Sequence, residues 1–173
     1  TGILCYTDFI IYEEERTRPD VEIERKFLLK ELPEHLDRYP CHRIEQGYLC
    51  TEPVVRIRRQ DDDYILTYKS KGLLAREEYN LPLTKEAYDH LAPKTDGLLI
   101  QKTRYKIPFL EKYTIELDIF DGELAPLTLA EVEFESVDEA NAFVPPEWFG
   151  EDVTYSTEYH NSTLSQKKPN RLA

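Results

Sequence analysis

Glycine is scarce in this chain, at 6 of 173 residues. No glycines fall into a GxxxxGK[ST] loop, so phosphate binding by a P-loop is excluded. Methionine is absent altogether. Cysteine is nearly so: Cys5, Cys41 and Cys50 are odd in number and lack CxxC spacing, which argues against a disulfide framework or a zinc site and predicts free thiols. His35, His42, His90 and His160 show no metal-ligand spacing either. No apolar run approaches the ~18 residues of a membrane span, and no basic-then-apolar signal opens the chain. A cytoplasmic protein with no membrane partner is expected. Positive charge is also in deficit, with 22 Lys and Arg against 34 Asp and Glu and a formal net charge of -12. A general nucleic-acid binder would need a basic footprint, so nucleic acid is excluded as a partner. The length suits one domain with a real core.

What the chain does contain is charge at every second position. Glu22, Glu24 and Lys26 stand two apart in VEIERKFLL, and the spacing recurs in RIR, YKSK, KTR, ELD and EVE. Residues i and i+2 of a strand share a face, so each pair aims two charges one way. The alternate positions are apolar: Ile23 and Phe27, Val55 and Ile57, Ile115, Leu117 and Ile119, Val132 and Phe134. Any one such strand is ordinary amphipathic sheet with its charges in water. The sorting of sign is not ordinary. Arg56 with Arg58, Lys69 with Lys71, and Lys102 with Arg104 are purely basic, whereas Glu116 with Asp118 and Glu131 with Glu133 are purely acidic. Solvated faces mix signs, because like charges close together repel. Segregation points to a ligand that needs both: a polyphosphate for the basic residues and a divalent cation, Mg²⁺ or Mn²⁺, for the carboxylates.

Residues 1–20, apolar and then charged, form a leader or linker of uncertain status. Strands are predicted over 21–30, 46–49, 54–60, 64–71, 76–81, 98–107, 112–120 and 129–136. A helical turn is expected over 33–39, a helix over 85–91 capped by Thr84, and another up to residue 144 capped by Asp138. Residues 165–173 read as a polar, frayed tail. The fold class is α+β, mainly β. About eight strands in antiparallel succession can close into a barrel whose bore holds one small ligand. Unpaired ions inside would cost several kcal/mol each, so the lumen must be wet and nearly neutral.

Glu22-Ile23-Glu24-Arg25-Lys26 resembles the ExExK signature of the CYTH superfamily, the triphosphate tunnel metalloenzymes. The resemblance continues through Gln46-Gly47-Tyr48-Leu49, Arg56-Ile57-Arg58, Lys69-Ser70-Lys71, Lys102-Thr103-Arg104, Glu116-Leu117-Asp118 and Glu131-Val132-Glu133, and closes with Tyr159-His160-Asn161-Ser162-Thr163-Leu164. It covers residues 21–164. It implies an eight-stranded antiparallel closed β-barrel, or tunnel, with a few peripheral helices, that binds a linear triphosphate and uses Mg²⁺ or Mn²⁺. By the same resemblance, Glu24, Glu131 and Glu133 hold the metal that clamps the triphosphate. Glu22, with Glu78, holds or orients a second metal and the attacking water. Lys26, Arg56, Arg58, Lys69, Lys71, Lys102 and Arg104 grip phosphates, Lys26 also counting with the catalytic residues, and Glu116 and Asp118 complete the acidic, metal-binding wall. A homodimer is expected on the same ground.

The expected activity is hydrolysis of a triphosphate, foremost inorganic tripolyphosphate to diphosphate and phosphate. Phosphoryl transfer asks for positioning and charge neutralisation rather than a covalent nucleophile. The same site could serve a class IV adenylate cyclase or a thiamine or nucleoside triphosphatase, with Tyr48, Tyr64 and Tyr68 as candidates for an organic group. A non-catalytic polyphosphate-binding module would keep the basic ring and lose metal ligands, yet both ExE pairs are intact. Trp148, beside Pro145 and Pro146, reads as packing.

Overall fold

The computed structural model describes residues 20–71 and 75–167. The expectations for the leader before residue 20, for Cys5 and for the tail beyond residue 167 lie outside the described residues. The chain forms β1 (Asp20–Leu29), β2 (Cys41–Thr51), β3 (Val54–Gln60), β4 (Asp63–Lys69), β5 (Ala75–Pro82), α1 (Lys85–Leu91), β6 (Asp96–Phe109), β7 (Tyr113–Phe120), β8 (Thr128–Glu133), α2 (Val137–Ala142), β9 (Phe149–Asp152) and α3 (Asn161–Leu164). The strands join one sheet in the order β5-β4-β3-β2-β6-β7-β8-β1-β9, with β1 also pairing β5. Every pairing is antiparallel. Among the described residues the count is therefore nine strands rather than eight. The extra strand, β9, is four residues long. Too short to show a period, and placed behind a pair of prolines, it leaves no alternation in the sequence.

Two other expectations need correction. The cap of α2 is Ser136, whose hydroxyl accepts from the Glu139 amide at 3.2 Å, and not Asp138. A hydroxyl three positions before that amide has the reach that Asp138, already inside the first turn, lacks. Strand β2 begins at Cys41, five residues before its predicted start at residue 46. Its early residues are mixed in character, and pairing with β6 from Cys41 to Tyr48 holds them extended. Thr84 caps α1 as expected, accepting from the Ala87 amide at 3.1 Å.

The hydrophobic core lies mainly outside the sheet's charged face. Phe27, Ile115, Leu117, Val132, Phe134, Phe143 and Phe149 form one buried cluster, with Trp148 packed against it. These are the alternate positions of β1, β7 and β8, covered by the α2 segment and β9. A second cluster contains Tyr48, Ile100, Phe120, Leu129, Val153 and Leu164, with Leu28 against it. Its strand members fall two residues along from charged or polar ones: Leu28 after Lys26, Tyr48 after Gln46, Phe120 after Asp118, Leu129 before Glu131, Ile100 before Lys102. They therefore share the charged face. That face is polar along its middle and closed by apolar side chains toward one end, where α3 packs.

Candidate active site

Register decides which charges meet. In β1 and β8, Glu24 stands opposite Glu133 and Lys26 opposite Glu131. In β7 and β8, Glu116 faces Glu131, while β6 sets Arg104 against Asp118 and Lys106 against Glu116. Strands β4 and β5 put Lys69 beside Glu78, and β2 and β3 put Gln46 beside Arg58. The result is a cavity of ≈ 220 Å³ whose lining includes Glu22, Glu24, Lys26, Arg56, Arg58, Lys69, Glu78, Arg104, Glu116, Glu131 and Glu133. The two signs occupy one hollow, as the segregation by strand predicts.

The charges are linked in chains. Lys69 Nζ donates to Glu22 at 2.5 Å and lies 2.7 Å from Glu78. Those bonds outweigh the upward push of burial and hold Glu78 down at about 2. Lys26 Nζ lies 2.9 Å from Glu131 and 3.9 Å from Glu24. Arg104 donates to Asp118 through Nε at 2.6 Å, to Glu131 at 2.5 Å, and to Glu116. Burial alone would raise Glu131, but Lys26 and Arg104 beside it pull it well below the usual carboxylate range.

Two places stay uncompensated. Glu133, exposed at the end of β8, is pushed up to about 7 by partial desolvation and by the carboxylates of Glu116, Glu22 and Glu24. Across the cavity, Arg58 is pushed down to about 9 by burial and by the guanidinium groups of Arg56 and Arg104. It is still protonated at neutral pH, and its Nε donates to the Gln46 amide oxygen at 3.0 Å. Arg56 spends one nitrogen on Thr67 at 3.0 Å, while its buried Nε has no hydrogen-bond partner among the described residues. Like charges have thus been forced together at both walls, and a buried donor left unmade, each unfavourable in isolation. An anion against the arginines and a cation against the carboxylates would relieve both.

Three expected site residues stand elsewhere. Lys71 is not among the cavity's lining residues; it is exposed and pairs with Glu52 at 2.5 Å. Strand β4 ends at Lys69, and the two-residue period that would aim Lys71 inward ends with it. Lys102 and Asp118 lie beneath the cavity, both without solvent-exposed side chains and bonded to one another. Burial first, and Arg104 next, push Lys102 down to about 8. Asp118 holds Lys102 and Arg104 together, a brace under the floor with no oxygen facing a ligand. The tyrosines divide as well. Tyr48 lines the cavity but is almost wholly buried, whereas Tyr64 packs against Tyr88 and Tyr68 against Tyr79 with tilted rings, away from the lining.

The structure adds lining residues that the paired motifs do not name: Gln60, Lys106, His160, Asn161 and Ser162. Lys106 and Gln60 continue the period beyond Arg104 and Arg58, so alternation carried one step further finds them. Residues 160–162 come from the start of α3, and nothing in their local pattern signals a place in the wall.

A hard divalent cation suits an all-carboxylate donor set. Among the described residues no three His, Cys, Asp or Glu stand in metal-holding geometry by themselves; the site's carboxylates are engaged instead by Lys26, Lys69 and Arg104. That arrangement still fits Mg²⁺, which is usually held by one or two carboxylates together with waters and substrate phosphates rather than by a protein cage.

The chain and its fold have relatives among known proteins. The chain is 43% identical over 152 residues to an inorganic triphosphatase from Nitrosomonas europaea, covering 86% of this chain and 99% of that protein. It is 36% identical over 151 residues to an inorganic triphosphatase from Acetivibrio thermocellus, covering 83% of this chain and 92% of the relative. A crystal structure of an inorganic triphosphatase superposes with a TM-score of 0.66 at 40% identity, over 86% of this chain and 96% of the other. The family model described as CYTH domain matches residues 20–167, and the chain belongs to that family.

Proposed function

We propose that this protein is a divalent-metal-dependent triphosphatase, acting foremost on inorganic tripolyphosphate to release diphosphate and phosphate. The observation that carries this reading is the pairing of Glu133, crowded by carboxylates, with Arg56 and Arg58, crowded by cations, across one small cavity. A linear triphosphate with bound metal satisfies both walls at once. The relatives named as inorganic triphosphatases support it, as they span the same part of the chain.

In this reading Lys26, Arg56, Arg58, Lys69 and Arg104 bind and orient phosphoryl oxygens. Glu24, Glu131 and Glu133, with Glu116 beside them, would hold the Mg²⁺ or Mn²⁺ that neutralises charge developing on the transferred phosphoryl group. Glu22 and Glu78, bridged by Lys69, are positioned to orient the attacking water once phosphate draws the lysine away. The pairing of β1 with β8 over residues 24–28 and with β5 over residues 20–23 supports the view that the sheet works as a closed tunnel of eight strands, with β9 added outside. Among the described residues, Tyr48 and His160 are the aromatic rings in the lining, which favours an inorganic chain over a nucleotide.

Phosphate release is to be measured on tripolyphosphate, ATP and thiamine triphosphate with Mg²⁺, Mn²⁺ or EDTA, beside an assay for cyclic AMP. Tripolyphosphate should turn over fastest, only with metal, and no cyclic AMP should form. Tight tripolyphosphate binding without turnover would replace the enzyme with a binding module.

A further inference from the structure

Thr67 and Asn80 belong to no charged pair and are not among the cavity's lining residues, yet they connect two residues that are. Register sets Arg56 of β3 opposite Thr67 of β4, and Thr67 opposite Asn80 of β5, so the three form one rung across the sheet. Lys69 and Glu78 form the next rung. Thr67 is wholly buried. Its hydroxyl accepts from Arg56 at 3.0 Å and donates to the Asn80 side-chain oxygen at 2.7 Å. The Asn80 side-chain nitrogen donates in turn to Glu78 Oε1 at 2.7 Å, crossing to the second rung, where Lys69 Nζ lies 2.7 Å from Glu78 Oε2. The ends fix the sense of this chain. A guanidinium only donates and a carboxylate only accepts, so the hydroxyl and the amide between them have one arrangement in which every bond is made.

Resting on the reading of Glu78 as an orienter of the attacking water, we propose that Thr67 and Asn80 are positioning residues of the triphosphatase, a relay that holds the Glu78 carboxylate in one orientation relative to the Arg56 guanidinium. Arg56 binds a phosphoryl group in that reading, so the relay sets water and phosphorus in a common frame. In-line attack depends on such alignment, and a misplacement of ~1 Å can cost on the order of 10²-fold in rate. Lys69 does not supply this by itself. It is shared with Glu22 at 2.5 Å, it sits on a flexible stem, and it turns toward phosphate when substrate binds. The Asn80 amide, fixed at both ends, stays with Glu78 when the lysine moves.

The test uses the full chain and reads kcat and KM for phosphate release from tripolyphosphate with Mg²⁺, calorimetric binding of tripolyphosphate in EDTA, and thermal melting. Asn80→Ala should lower kcat about tenfold to a hundredfold, the scale of one hydrogen bond to a charged group. KM and binding in EDTA should stay near those of the parent, because Asn80 is not in the lining. Asn80→Asp keeps the acceptor for Thr67 and loses the donor to Glu78, so its kcat should fall at least as far. Thr67→Val should also lower kcat, and Thr67→Ser, which retains the hydroxyl, should restore most of it. In a Glu78→Ala background, Asn80→Ala should reduce kcat little further, since the group it acts through is already gone. An Asn80→Ala protein with the parent's kcat overturns the relay. So does a loss of kcat as large in the Glu78→Ala background as in the parent, which, with a lowered melting temperature, assigns Asn80 a purely structural bond between strands. If Glu78→Ala itself leaves kcat unchanged, the water-orienting role falls and the relay with it, while metal-dependent turnover keeps the triphosphatase reading in place. If the parent does not turn over tripolyphosphate, the triphosphatase reading falls first.

Discussion

At the scale of single residues, carboxylates that look alike in sequence divide into two kinds. Glu133, exposed at the end of β8, is crowded by other acids and has its proton affinity raised, whereas Asp118 is buried between Lys102 and Arg104 and has its own lowered because they outweigh burial. Opposite outcomes follow on substitution. Glu133→Gln removes a repelled charge, so the metal-free protein should melt at the same or a higher temperature while kcat on tripolyphosphate drops on the order of 10²-fold, the scale of one lost electrostatic stabiliser. Asp118→Asn leaves two buried cations without their counter-charge and should cost about 3–5 kcal/mol of stability, seen in denaturant titration. Equal melting temperatures for Asp118→Asn and the parent would return Asp118 to the metal-ligand set. Alternation in the sequence points both side chains inward, but it carries no information on depth, and depth separates a ligand from a brace.

At the scale of elements, the α2 segment and β9 hold the outer core against β1. Arg25 is the rivet: it donates to the Ala140 and Phe143 carbonyls at 3.0 and 3.2 Å and to Asp152 at 2.6 Å. Burial pushes Asp152 upward, and the bonds from Thr154 and Arg25 more than reverse it, so its folded pKa lies below the ordinary value. A depressed carboxylate adds stability above its unfolded value of ~3.9, and that stability is lost as pH falls through the folded value. Asp152→Asn should therefore melt below the parent at pH 7, with the two curves converging under acid conditions; a constant gap would show that packing rather than ionisation is responsible. Ser136→Ala should cost ~1 kcal/mol through loss of the α2 cap. These contacts span more than a hundred positions, as in the 115 separating Arg25 from Ala140, and local pattern cannot register them.

At the scale of the whole molecule, the C-terminal segment completes a cavity built otherwise from strands. Its anchor is Gly97, whose φ of +72° favours glycine and whose missing side chain admits the Ser165 carbonyl. The Leu98 amide donates to that same carbonyl at 2.7 Å. Gly97→Ala would strain the start of β6 and push the segment outward, displacing His160, Asn161 and Ser162 from the wall. Activity on tripolyphosphate should fall several-fold together with about 1–3 kcal/mol of stability, the usual cost of a side chain at an incompatible backbone angle. Retained activity with lowered stability would mean that residues 160–162 shape the wall without touching substrate.

The paired charges at every second position marked, from sequence alone, several of the strands and the faces on which they carry charge, and brought acid and base together in one hollow. Those are local properties of a period of two, and ExExK with its basic and acidic successors carries them intact. Only the tertiary structure decided that Lys102 and Asp118 sit under the floor, that Lys71 stands exposed outside the cavity lining, that β9 joins the sheet, and that residues 160–162 close the wall. Each of these depends on register and on where a strand ends against its partners. Such distances are set by packing between residues far apart in the chain, and a local pattern has no term for them.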